Sequence, residues 1–268
     1  MGIPHSTARY VAPLSFLIDF AAQQYGMLSS PNMKDVHDAN LSFWSPQPLF
    51  IAGFFFPQQL FQLAWLYRLC KLDPKKSEKE RKEVEQMILF SYAIVVLINQ
   101  TAWMIFWNAS ALKTSNVFVL INSFTQLYYI FFRLAPMNSR STSSILTHIV
   151  SKTFAGIGVL DFLHNGSVAY FDHQGPNLAV KIGTGLGFAA LASVSDWIFG
   201  GCLVYDLVAL SVGQSGIKGQ GGWGGLLGAY AVGTAAIVGA RNWLRPPYGK
   251  NDVKDAVDYE ELGNEDVV

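Results

Sequence analysis

Asp161 and His164 stand three residues apart in an apolar stretch, so on a helix they lie about 60° apart on one face. An imidazole beside a carboxylate can hold or relay a proton. The plainer use of the same spacing is a mutual hydrogen bond near a membrane interface. His148 and Lys152 precede them in the same stretch, about 40° from each other and on roughly the opposite face. The four therefore cannot address one pocket, and Lys152 is expected to carry its ammonium to the membrane edge. Asp196 and Asp206 are ten residues apart, or about 80° around a continuous helix. They do not form a paired acid site by spacing. Each is an isolated proton donor if its pocket is dry, and an interfacial partner of Lys181 or Arg241 if it is not. Asp19 carries the same ambiguity.

A second set of residues suits binding rather than bond-making. Gln58, Gln59 and Gln62 share one side of an apolar segment, and Asn99, Asn122 and Gln126 add amides to later ones. Trp65 and Trp103 offer flat walls beside them. Uncharged amides in lipid join neighbouring helices, and with aromatic walls they can also line a site for a planar apolar molecule.

Several chemistries are excluded. Nineteen basic and nineteen acidic residues cancel, which gives no reason to expect a nucleic-acid partner. Cys70 and Cys202 lack metal-ligand spacing, so neither a disulfide framework nor a metal is expected. No zinc motif, nucleophile elbow or GxxxxGK[ST] loop occurs, and no cofactor is expected. MGIPHSTARY has no basic region followed by a small-residue cleavage pattern, so no removable signal peptide is expected.

The elements that must position these residues are membrane helices. Apolar residues make up 51% of the chain and charged residues 14%, with mean hydropathy +0.26, whereas soluble domains carry about 25% charged residues. The chain reads as an all-α, polytopic helical membrane protein. A crossing needs about 20 mostly apolar residues, and spans are expected near 10–28, 48–70, 87–107, 116–135, 144–170, 178–211 and 223–244. If 178–211 crosses once there are seven transmembrane helices; if Gly200-Gly201 breaks it into a hairpin there are eight. Residues 1–244 then form one bundle, and the acidic tail 245–268 is expected to be disordered.

Charge sets the orientation. Lys71, Lys75, Lys76, Lys79, Arg81 and Lys82 place loop 71–86 in the cytoplasm, and Arg133 and Arg140 place the 135–143 turn with it. The sequons that begin at Asn40, Asn108 and Asn165 fall on the opposite side, with Asn40 and Asn108 the expected glycosylation positions. Seven crossings would put Arg241 and Arg245 outside, against the positive-inside rule; eight would not.

One stretch carries a resemblance. Trp44, Pro46 and Pro48 lead into a helix ending in Trp65, Leu66 and Tyr67, and Asn99, Trp103 and Phe106 recur in the third span. These residues resemble the tryptophan-rich sensory protein and translocator protein-like family, over residues 10–170 at most. In this chain a glutamine separates the two prolines, and at least two spans are added. The resemblance implies a five-helix pocket for porphyrins, sterols or similar apolar molecules.

The expected function is binding or transport of a small apolar ligand of the sterol, tetrapyrrole or isoprenoid class. The expected partners are the lipid bilayer, that ligand and a second copy of the chain. The alternative is a membrane-bound cyclase or isomerase that protonates an isoprenoid from Asp161, His164, Asp196 or Asp206. A third reading is a membrane scaffold or assembly factor.

Overall fold

The computed structural model describes residues 5–95, 98–217 and 221–247, with only the backbone described at 92–95 and 98–100. Among the described residues all regular secondary structure is helical. The helices are α1 (His5–Leu28), α2 (Met33–Ala39), α3 (Pro48–Lys71), α4 (Glu78–Val95), α5 (Ile98–Asn108) and α6 (Leu112–Tyr128). A π-helical turn, Tyr129–Arg133, ends α6, and α7 (Thr142–Tyr170), α8 (Leu178–Val194), α9 (Trp197–Ser215) and α10 (Trp223–Leu244) follow.

Four of these, α3, α7, α9 and α10, are long and apolar enough to cross a membrane, and α8 is a shorter apolar helix. Their polarity is arranged for lipid. On α3, Gln58 and Gln62 face inward while Phe56, Leu60, Phe61 and Leu63 are exposed. In water that arrangement would be inverted; in hydrocarbon it leaves apolar groups on lipid and joins the amides to neighbouring helices. The most buried helix is α7, which packs against α3, α4, α6 and α9.

The 178–211 stretch is two helices, and the break is not at the glycine pair. Ser195 is extended, and Asp196 caps the new helix by accepting from the Phe199 N–H at 3.0 Å. This satisfies a donor that a helix start leaves open. Gly200 lies inside α9, where a Cβ would come within 2.6 Å of Val238. The glycine there serves close packing rather than a turn. The expected 87–107 span is carried by α4 and α5, which flank residues 96–97 outside the described set. Most of the expected acidic tail, 248–268, also lies outside the described residues.

Long-range contacts assign most of the long helices' ends to one of two sides. At the first, Ser42 bonds Ser167 and accepts from Gln214, Trp223 donates to Phe43, and Asn108 donates to Gly26. At the second, Arg68 meets Glu83 and Ser143, Arg9 reaches Leu69 and Leu72, and Asn242 donates to Ser195. Chain reversal at Ser195-Asp196 therefore brings Arg241 and Arg245 to the side that carries the 71–77 loop and the start of α1. The expected sequons Asn40, Asn108 and Asn165 all lie at the other side.

Candidate ligand-binding groove

Residues 41–47 form a linker held against the ends of α9 and α10. The Gln47 N–H donates to the Ala209 carbonyl at 3.0 Å, and the Gln214 amide donates to Ser42 and Ser45 carbonyls at 2.9 and 2.8 Å. Trp223 Nε1 donates to the Phe43 carbonyl at 2.6 Å. So fixed, the linker presents Phe43 and Trp44 edge to face, with Trp44 Nε1 donating to Thr184 Oγ1 of α8 at 3.0 Å.

Beneath this pair lies an open groove of about 620 Å³ between α8 on one side and α6 and α7 on the other. That is within the usual range for small-molecule sites, about 300–1,000 Å³. Phe124 and Leu127 of α6 and Phe162 and Leu163 of α7 form one wall. The α8 wall is Ala179, Gly183, Gly187 and Leu191, a row at four-residue spacing on one helix face. A Cβ at Gly183 or Gly187 would meet nothing within 4 Å. The other face of α8 leans on α10, where Gly185 approaches the Tyr230 ring and the Tyr230 hydroxyl donates to the Lys181 carbonyl at 3.0 Å. α8 is thus anchored from behind and its glycine face is left clear.

The groove is apolar with polar groups at the linker end, where Gln174, Asn177 and Thr184 line it. Among the described residues, its lining includes no Asp, Glu, His, Lys or Arg. Ser123, the hydroxyl on the α6 wall, already donates to the Gly158 carbonyl at 2.8 Å. The groove can hold an elongated apolar molecule with one hydrogen-bonding end.

Among the described residues, none of the amides and tryptophans expected to bind ligand lines it. Gln58 bonds the Val150 carbonyl and Thr153, and Gln59 donates to Gln23, which donates to Asp19. Gln62, Asn122 and Gln126 are buried in the bundle. Trp65 is fully buried and donates to Thr147 at 2.9 Å, and Trp103 donates to Asn165 at 2.7 Å. Gln58, Gln59, Trp65 and Trp103 are joints between helices, the role uncharged amides and indoles commonly take in lipid. The side chain of Asn99 lies outside the described residues. The row Ala179, Gly183, Gly187, Leu191 was visible as a spacing, but small residues four apart read equally well as a helix-packing face.

The expected acid–base residues are also rearranged. His164 does not pair with Asp161; its Nε2 lies 3.1 Å from His37 Nδ1 of α2, beside the Trp107 ring. Asp161 is instead within electrostatic reach of Asp206. Asp206 is fully buried with both carboxyl oxygens unpartnered. Asp196 caps α9 and forms an ion pair with Lys152, so the expected partners Lys181 and Arg241 are displaced by a third cation. None of these acids opens on the groove. Of the sequons, Asn108 is buried and donates to Gly26, so the folded protein does not present it for glycosylation. Asn165 is buried as well, whereas Asn40 is half-buried.

The histidine pair makes stability depend on pH. Burial holds His37 below its ordinary value of 6.5, with Asp38 opposing and Lys34 reinforcing the shift, and with the His164 ring facing it. The unfolded chain takes up a proton near pH 6.5 that folded His37 resists, so stability is full above that pH and is lost as pH falls below it. The thermal midpoint is expected to drop between pH 7.5 and 5.5, and His37→Phe to flatten that dependence. An unchanged slope in the variant would remove His37 from the account.

No protein-family model, curated protein or solved structure matches the chain.

Proposed function

We propose that the protein is a multi-pass membrane protein that binds or moves a small apolar molecule in the groove between α8 and α6–α7. The carrying observation is the groove itself, about 620 Å³, apolar along its length and open on one side. Without a cation in its lining, it favours a sterol or isoprenoid alcohol over a tetrapyrrole, whose carboxylates would find no partner. Without an acid or base there, it favours binding over catalysis. Trp44, one of the residues that resemble the translocator protein-like family, lines the groove, while Trp65 and Trp103 are interhelical joints.

Eight crossings are the reading that fits the helix directions: α1, α3, α4 with α5, α6, α7, α8, α9 and α10. Both termini then share a side with Arg68, Lys71 and the lysine-rich loop, and the positive-inside rule makes that side cytoplasmic. In sealed, right-side-out vesicles, a cysteine introduced at Lys75 is expected to resist an impermeant thiol reagent, while one at Asp172 reacts. The reverse pattern would invert the orientation. For function, purified protein should bind one member of a sterol and isoprenoid panel saturably; a panel without saturable binding counts against the groove as a ligand site.

A further inference from the structure

At the cytoplasmic end, a second cavity lies where α7, the α8–α9 reversal and the last turn of α10 meet. It has a volume of about 240 Å³ and is lined by His148, Lys152, Asp196 and Arg241. A shallower crevice of about 430 Å³ shares Val194 and Arg241 with it and adds Leu244 and Arg245. Arg241 lies in the last turn of α10 and Arg245 caps its end, and both line the crevice. Among the described residues, three cations and one carboxylate therefore border these two adjoining spaces. The carboxylate is already engaged: Asp196 caps α9 and pairs with Lys152. Arg241 is close enough to Lys152 for the two charges to repel, and it donates to a neutral oxygen, Asn242 Oδ1, at 3.0 Å. Inside the cavity, neither ring nitrogen of buried His148 has a hydrogen bond of ordinary geometry, although the Ala135 carbonyl lies near.

The rim of the crevice is apolar. Val194, Trp243 and Leu244 are exposed at 55%, 84% and 77%, next to the arginines. Side chains of that kind at a membrane edge lie against acyl chains while the guanidinium groups reach headgroup level.

We propose that this crevice is a binding site for a phosphate-bearing anion, set by Arg241 and Arg245 with Lys152 and His148 behind them. The inference rests on the membrane reading but not on any occupant of the apolar groove, which lies toward the opposite side. A phosphate group brings negative charge to both arginines and accepts hydrogen bonds from both of them. A phospholipid headgroup and free phosphate share that chemistry.

The test uses the full chain in nanodiscs of phosphatidylcholine, with and without phosphatidic acid, and measures retained lipid by native mass spectrometry. Phosphatidic acid is expected to be retained at least about tenfold over phosphatidylcholine, with the preference lost in Arg241→Gln/Arg245→Gln. Arg133→Gln/Arg140→Gln, at the same side but outside the crevice lining, should keep it. Inorganic phosphate is the second probe. If it raises the thermal midpoint of the wild type and not of the Arg241/Arg245 variant, the anion is taken from solution; if it has no effect while phosphatidic acid is retained, the source is lipid. Equal lipid retention by all three proteins with no phosphate effect overturns the proposal, as does loss in the Arg133/Arg140 control alone. None of these readings depends on sterol or isoprenoid binding, so failure here leaves the groove untouched.

Discussion

Gly183→Leu and Gly187→Leu each weaken saturable binding of the groove ligand by about 100-fold without lowering the thermal midpoint. Both glycines face the groove from α8, and an added Cβ meets nothing within 4 Å in either place. A leucine side chain there occupies the space the ligand needs, and its Cβ meets no existing atom within 4 Å. Forcing ligand past it carries the cost of overpacking, about 1–3 kcal/mol, so an affinity loss on the order of 100-fold is expected, equivalent to roughly 2.7 kcal/mol. Stability should hold or rise, because replacing glycine inside a helix by leucine gains about 0.5–1 kcal/mol. Gly185→Leu is the contrasting variant. Its Cβ would come within 2.9 Å of the Tyr230 ring, so it should loosen α8 from α10 and lower the midpoint. Wild-type affinity in both Gly183→Leu and Gly187→Leu would show that ligand binds elsewhere.

Gly213→Ala has the largest expected effect on stability. At that position a Cβ would lie 2.5 Å from the Ser45 carbonyl oxygen, 2.6 Å from the Gln47 nitrogen and 2.6 Å from the Pro46 carbonyl carbon. All three are backbone atoms, so no side-chain rotation relieves the contact. The end of α9 must part from the 41–47 linker, which strains or breaks the Gln47 bond to Ala209 and the two Gln214 bonds. Overpacking at about 1–3 kcal/mol and three lost hydrogen bonds at about 1 kcal/mol each sum to roughly 4–6 kcal/mol. Because the same linker carries Trp44, ligand affinity should fall with stability. Gly201→Ala, in the same helix but in open space, should be neutral or stabilising by up to about 1 kcal/mol. Equal midpoints for the two alanine variants in a detergent-stable preparation would refute the close approach.

The corrections share a cause. A spacing on one helix says which residues share a face, not what that face meets. Asp161 and His164 do lie near one another around α7, yet one turns to Asp206 of α9 and the other to His37 of α2. The amides of α3 face inward as expected, but their partners Val150, Thr153 and Gln23 come from helices distant in the chain and leave no room for a ligand. The 178–211 stretch shows the same limit at the level of an element. Gly200-Gly201 is the stronger local signal for a break, but packing against Val238 uses Gly200. The reversal occurs where Asp196 can cap a helix and meet Lys152.

By itself the sequence determined the solvent and the charge asymmetry. Low charge and long apolar runs require a hydrocarbon environment, and the lysines between α3 and α4 mark one end, because hydropathy and charge are sums over local residues. It also placed Trp44 and its prolines at the start of α3. Tertiary structure alone decided which helices close against each other and which leave a gap. The row Ala179, Gly183, Gly187, Leu191 permits close packing or a clear space with equal ease. Its use as a groove wall follows from Tyr230 holding α8 from behind and Trp44 holding it by Thr184. Tertiary structure also joined Arg241 and Arg245 to Lys152 and His148 across some ninety residues of chain, an association no local periodicity encodes.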